Sequence, residues 1–392
     1  MTLDLATELA SGLAKQKQQH LYRSRKVIDS PQDVELQCDG NPLLSFCSND
    51  YLGLANHPAL INALKEGAER YGVGSGASHL VTGHSHAHHA LEEALAEFTQ
   101  RPRALLFSSG YMANLGVIST LANKQSNIHE DRLNHASLID AARLSGATMR
   151  RYPHNDIEAL NRRLKKPNND HSFIITDGVF SMDGDIAPLP QVVASASKHH
   201  ATLMVDDAHG LGVIGKHGRG SIEHCDLSSH EVPILVGTLG KALGTSGAFV
   251  AGSEELIETL IQQARTYIYT TALPPAVAHA TLASLELIAT EAWRREQLQT
   301  LIKQFRRGAE QLGFDLMPSI TPIQPLVIGD AGEALRISEQ LQQQGILIGA
   351  IRPPTVPENT SRLRITFSAN HSEQHVEQLL SALANVIQRN DK

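Results

Sequence analysis

Cysteine is scarce in this sequence. Three stand among 392 residues, Cys38, Cys47 and Cys225, and no two share a CxxC spacing. So odd and scattered a set excludes a disulfide framework and a cysteine-built zinc site, and a reducing compartment, the cytoplasm, is expected. Long apolar runs are missing too. No stretch approaches 18 apolar residues in a row, so no membrane-spanning helix is expected. Residues 1–20 lack a basic start followed by an apolar run, so no signal peptide is read there. Basic charge is in short supply, with 34 Lys and Arg against 41 Asp and Glu, a formal net charge of −7. That balance leaves no footprint for nucleic acid or an anionic membrane.

What is present is ordinary for a globular chain: 41% apolar and 19% charged residues, over a length that suits two domains. The first 30 or so residues read as a polar, helical arm ending near Ser30-Pro31. A strand signal at Leu43–Phe46 leads into the turn-rich Ser48–Gly53. Helical periodicity follows from about His57, with Pro58 in the first turn, and again from about Ser85 to Gln100. From Ala104 onward, apolar runs alternate with helical patterns. The strand candidates are Ala104–Phe107, Phe173–Thr176, Thr202–Val205, Ile234–Gly237 and Ala248–Ala251; the helices between them include Met112–Ala122, Asp156–Lys165 and Gln191–His199. Strands that are apolar without alternation, separated by helices, predict an α/β fold with a mostly parallel central sheet covered on both faces. After Leu273-Pro274-Pro275 the pattern changes to a long helical stretch to about Leu312, two strands near Ile323–Ile328 and Leu363–Thr366, and two more helices. The expected organisation is an N-terminal arm (1–45), a large α/β domain (46–280) and a smaller C-terminal α+β domain (281–392).

Ligands of an open parallel sheet collect at the carboxyl ends of its strands. Three of the predicted strand ends carry chemistry. Thr202–Val205 runs into Asp206-Asp207-Ala208-His209-Gly210, Ile234–Gly237 into Thr238-Leu239-Gly240-Lys241, and Phe173–Thr176 into Asp177–Asp185. They offer a carboxylate, an imidazole and an amine to one crevice. A carboxylate facing a pyridine nitrogen keeps it protonated, and an amine can condense with a carbonyl cofactor. A fourth strand end, Leu106–Tyr111, closes in small residues at a helix start, a natural phosphate site.

The segments Asp206–Gly210 and Thr238–Gly244 closely resemble the α-oxoamine synthases. These are fold-type-I pyridoxal-phosphate (PLP) transferases that condense an amino acid with an acyl thioester and release carbon dioxide. The resemblance covers nearly the whole chain. Through Phe46–Gly53, Gly74–Gly83 and Ile351–Pro357 it is nearest to the members that join L-alanine to a pimeloyl thioester in biotin biosynthesis. It implies that Lys241 carries PLP as a Schiff base and serves as base, that Asp206 pairs with the pyridine nitrogen, and that His209 bonds the phenolic oxygen. His135 would stack on the ring. Ser109, Gly110, Tyr111 and Thr238 would cradle the phosphate, with Thr271 reaching it from the partner subunit of a homodimer, and Ser181 would touch the cofactor. Arg364 would grip the α-carboxylate with help from Asn49, and Arg23 and Thr355 would lie near the acyl end. Whether the acyl group arrives on coenzyme A or on acyl carrier protein stays open. A neighbouring alternative within the family takes glycine with acetyl or succinyl thioesters.

Other motifs read more plainly. Gly74–His79 lacks the third glycine of a dinucleotide fingerprint, and Gly240-Lys241 is followed by Ala242, not by the Ser or Thr of a P-loop. The run His84-Ser85-His86-Ala87-His88-His89 has no second cluster of ligands in the sequence, and no metal is expected there. The apolar stripe Val376–Ile387 reads as core packing, and a regulatory homologue without activity is expected to lack Lys241, which is present.

Overall fold

The computed structural model describes residues 4–165 and 171–387. They divide into two compact units. One is drawn from residues up to Asn49, from Met182–Gly184 and from Gln297 onward; the other comprises Asp50–Ser181 and Asp185–Glu296.

The first unit opens with the helix Leu5–Gln18, shorter than the 30-residue arm expected, and none of its residues is buried. Strands β1 (Glu35–Cys38) and β2 (Asn41–Ser45) then pair antiparallel. Their two-residue turn, Asp39-Gly40, has φ of 50° and 76°, the left-handed pair that matches hairpin twist and that Asp-Gly adopts readily.

The second unit holds the large sheet. Its strands are β3 (Arg103–Phe107), β4 (Asn127–Asp131), β5 (Thr148–Tyr152), β6 (Ser172–Asp177), β7 (Thr202–Asp206), β8 (Ile234–Thr238) and β9 (Ala248–Gly252), in the order β3-β9-β8-β7-β6-β4-β5. Strands β8, β7, β6, β4 and β5 are parallel, and β9 runs against both of its neighbours. The continuous apolar runs have a simple cause. Met204 and Val236 point into one core with Leu105, Phe107, Ile175 and Val250; Leu203, Val205 and Leu235 point into another with Ile174 on the opposite face. With both faces covered, successive residues of these strands enter one core or the other, and the strand interiors are apolar without alternation.

Two strands depart from the sequence reading. β4 reads Asn-Ile-His-Glu-Asp and β5 Thr-Met-Arg-Arg-Tyr, neither of which is an apolar run. All five residues of β4 are nevertheless buried. Asp131 repays its burial by accepting from the backbone N–H of Leu133 (2.8 Å) and Asn155 (2.8 Å).

The chain then returns to the first unit with β10 (Ile323–Gly329), β11 (Ile346–Leu347), β12 (Gly349–Ile351) and β13 (Ser361–Thr366). β10, β13 and β12 form an antiparallel sheet in that order, and β11 adds in parallel to β2. The stretch expected to be helical from Pro275 to about Leu312 is two helices, Pro275–Thr290 and Trp293–Gln311. The final helix, Glu373–Ile387, buries Val376, Leu379 and Leu383. Among the described residues, no helix is long and apolar enough to cross a membrane.

Candidate active site

The chemistry gathers at the carboxyl ends of β6, β7 and β8. β7 delivers Asp206 as its last residue, and the tight turn after it brings His209 inward, 7% exposed. β8 ends at Thr238, and the loop from there to β9 carries Lys241. The loop is closed by its own backbone, Leu239 N–H to Gly247 O (2.9 Å) and Thr245 N–H to Leu239 O (2.9 Å). The Lys241 amine stands 2.8 Å from His209 Nε2.

A third group extends this pair. Tyr51 Oη lies 2.6 Å from His209 Nδ1, and its side chain is fully buried. The turn that aims it inward is built locally: Asp50 accepts from the N–H of Leu54 (2.9 Å) and of Ala55 (3.1 Å), and Gly53 takes φ 66°. Tyrosine, imidazole and amine thus form one hydrogen-bonded row.

Asp206 anchors a second row. Its Oδ1 accepts from Ala208 N–H (3.1 Å), and its Oδ2 accepts from the Asn114 amide (2.6 Å). That amide also donates to Ser137 Oγ (2.8 Å), and Ser137 Oγ is 2.7 Å from His135 Nδ1. His135 caps the helix Ala136–Ser145, its ring nitrogen accepting from Ser137 N–H, while its own backbone N–H donates to Asp177 Oδ2 (2.7 Å). The His135 ring reaches the surface, yet enough protein surrounds it that burial pushes its pKa down, against the pull of Asp206. Burial, reinforced by the charge of Asp206, raises the pKa of Asp177.

Behind this row lies Asp207, wholly buried and raised to about 7 by that burial. It accepts from Ser221 N–H at 2.6 Å. Three glycines wrap it. A Cβ on Gly178, Gly210 or Gly220 would come within 2.5, 2.1 or 1.9 Å of its carboxylate oxygens, so no side chain fits at those positions.

The helix Gly110–Leu121 starts at the end of β3, and Ser109 caps it by accepting from Met112 N–H (3.3 Å). Tyr111 is 41% exposed and donates to Asp140. Thr238 Oγ1 donates to Gly247 O (3.1 Å) and accepts from Gly240 N–H (3.3 Å). Ser181 is half-buried past the end of β6. Thr271 is exposed, and its carbonyl accepts from the Ser108 hydroxyl at 3.5 Å.

The remaining expected residues belong to the other unit, where they form two pairs. Arg364 on β13 is 7% exposed, and its Nη1 donates to Asn49 Oδ1 (3.2 Å). Arg23 Nη2 donates to Thr355 Oγ1 (3.2 Å). Sequence reasoning missed Tyr51, Asn114 and Ser137 as individual site residues. Tyr51 lies within the segment Phe46–Gly53 and Ser137 beside His135, whereas Asn114 carries no signal in its surroundings, since an asparagine in the first turns of a helix is commonplace.

Comparison with known proteins adds a family. Residues 41–383 match the model for aminotransferase class I and II. The 8-amino-7-oxononanoate synthase of Nitrosococcus oceani is 62% identical over 375 residues, covering 96% of this chain and 100% of that one. That of Pseudomonas fluorescens is 59% identical over 381 residues, covering 97% of each. Among solved structures, a serine palmitoyltransferase of Sphingomonas wittichii superposes with a TM-score of 0.94 at 31% identity, covering 99% of both chains. An SPT structure with its PLP internal aldimine gives 0.93 at 31%, covering 98% of this chain and 99% of that one. The 8-amino-7-oxononanoate synthase of Francisella tularensis gives 0.79 at 34%, covering 89% and 99%.

Proposed function

Since the chain belongs to the class I and II aminotransferases, and among them to the 8-amino-7-oxononanoate synthases, we propose how its residues divide the work of that reaction. The protein is a PLP-dependent acyltransferase. It condenses L-alanine with a pimeloyl thioester, releasing carbon dioxide and the free thiol carrier and giving 8-amino-7-oxononanoate for biotin biosynthesis. The observation that carries the division of labour is the Lys241 amine at 2.8 Å from His209, on a loop beside the Asp206 strand end.

The donor set fits the cofactor. A Cβ built on Gly110 meets nothing within 4 Å, so open space adjoins the N-terminus of the helix Gly110–Leu121, where backbone N–H groups and the helix dipole favour a phosphate. Asp206 and Asn114 supply the fixed carboxylate that a pyridinium needs, and Lys241 supplies the amine. When bound, PLP withdraws electrons from the amino acid's Cα and so stabilises negative charge there.

Lys241 would hold the cofactor and would later take the Cα proton of alanine. Its neighbour His209 bonds the phenolic oxygen, and Tyr51 keeps that imidazole oriented. Asp206 keeps the pyridine nitrogen protonated, with Asn114 restraining its carboxylate. His135 would cover the ring, and Ser181 would contact the cofactor. Ser109, Gly110, Tyr111 and Thr238 hold the phosphate. Arg364 grips the α-carboxylate of alanine through its planar guanidinium, steadied by Asn49, and Arg23 and Thr355 meet the acyl end. The Cα of alanine would bond to the thioester carbon as the thiol leaves, the former α-carboxylate would depart as carbon dioxide, and a proton would return to Cα to give the product.

The chain works as a homodimer in the cytoplasm, with Thr271 of one subunit serving the phosphate of the other. Support for pairing comes from Leu5, Leu9 and Leu13, which stand one turn apart on the N-terminal helix and are 66%, 58% and 49% exposed. The deciding assay incubates the enzyme with alanine or glycine and with pimeloyl-, acetyl- or succinyl-thioesters, on coenzyme A and on acyl carrier protein, and weighs the products. Alanine with the pimeloyl thioester is expected to win. Faster turnover of glycine with a short acyl group would overturn the reading.

A further inference from the structure

The histidine-rich run carries more than its sequence suggests. Read linearly it offers no second set of ligands, but the fold supplies one more residue. His89 and Glu92 stand three apart on the helix His86–Phe98 and share a side, and His84 approaches them from the segment before the helix. One donor atom from each lies within 4.8 Å of the others, with His84 Nε2 at 3.9 Å from Glu92 Oε2.

We propose that His84, His89 and Glu92 bind one divalent first-row transition cation, Zn²⁺ above all, in an open three-ligand site completed by water. The chemistry of the set suits it, since two imidazoles and a carboxylate are the borderline ligands such ions select. The geometry is within reach. Tetrahedral zinc with bonds of about 2.0–2.1 Å needs ligand atoms about 3.3 Å apart, so each atom moves inward by roughly 0.9 Å at most. His89 can make that movement, its side chain being 61% exposed, in a 3.4 Å pair with the 70%-exposed Glu93 and edge-on to the His84 ring at 6.0 Å. Such exposed pairs hold little energy.

The surroundings are arranged as they are around metal ligands. His84 turns its other nitrogen, Nδ1, toward His79 Nδ1 at 3.0 Å, and the buried His79 ring stacks on Tyr267 at 4.9 Å. Glu92 Oε1 is held by Leu106 N–H (3.0 Å), which leaves Oε2 to face His84. For His84 and Glu92, these outer hydrogen bonds fix the direction in which each offers its lone pair. His88, which also lies in the run, is excluded. Its Nδ1 accepts from Ser85 N–H (3.0 Å) and its Nε2 donates to Leu273 O (2.6 Å), so neither nitrogen is left for an ion. A bound cation would tie the segment before the helix to the helix itself.

Isothermal titration of the PLP-loaded protein with Zn²⁺, in a buffer that does not chelate, tests the site. One saturable Zn²⁺ per chain is expected, weakened at least about tenfold by His89→Ala and by Glu92→Gln, and unchanged by His230→Ala at another exposed histidine. Zinc should also raise the thermal midpoint of the wild type and leave that of His89→Ala where it was. His89 is exposed, so its variant will fold even if the Glu92 one does not. Absence of saturable binding overturns the proposal, as does His89→Ala binding as tightly as the wild type, or His230→Ala losing as much affinity.

Discussion

Lys241 and Tyr51 sit at opposite ends of the row that runs through His209, and they invite different measurements. Lys241→Ala should leave the protein folded but unable to form the borohydride-sensitive visible band of the cofactor; a coloured, borohydride-sensitive variant would show that another amine does the work. Tyr51→Phe removes only the hydroxyl 2.6 Å from His209 Nδ1. Cofactor should still bind, but the pH midpoint of its visible band should move, because the imidazole has lost the contact that orients it. An unchanged midpoint would reduce Tyr51 to packing. The triad of Asp206, His209 and Lys241 was legible in the sequence, each residue following an apolar run that had to be a strand. Asn114 and Ser137 were not, because their importance comes from what lies across from them. Only the fold places the Asn114 amide 2.6 Å from Asp206.

Elements succeed or fail as sequence signals according to how their burial is satisfied. β3, β6, β7, β8 and β9 could be read from apolar composition, whereas β4 hides a buried histidine, glutamate and aspartate, of which Asp131 is satisfied by the backbone of Leu133 and Asn155. The turn after β7 is packed closely by the residue that follows β6. Gly178→Ala would press a methyl group to 2.4 Å from Ser221 Oγ and 2.5 Å from Asp207 Oδ1. A drop of several degrees in thermal midpoint is expected, and a midpoint equal to wild type would mean that the cage can relax. At the start of the helix Gly110–Leu121, Ser109→Ala should cost roughly 1 kcal/mol in chemical denaturation, from loss of the cap alone. Weaker PLP binding is expected alongside; stability loss with unchanged PLP affinity would separate the cap from the phosphate.

For the molecule as a whole, one pH effect stands out. Burial alone would lower the His154 pKa, but hydrogen bonds to Asp131 (3.0 Å) and Asp185 (2.9 Å) outweigh it and raise the imidazole to about 9. A histidine raised from 6.5 binds its proton more tightly when folded, so its contribution is complete below pH 6.5 and is lost as pH rises through about 9. The gap in denaturation midpoint between wild type and His154→Gln should therefore narrow from pH 6 to pH 10; a constant gap would refute the assignment. The quaternary arrangement has its own test, a solution mass of twice the 42.5 kDa chain. Mixing Lys241→Ala with Thr271→Ala chains should then restore one intact site per mixed dimer, and no gain in PLP affinity over either parent would exclude exchange of Thr271 across subunits. The groups that would grasp PLP are drawn from Tyr51 through Thr271, more than half of the chain's length. Colour in a refolding tube therefore reports that segments far apart along the chain, Ser109, His135, Asp206 and Lys241 among them, have come together around the cofactor.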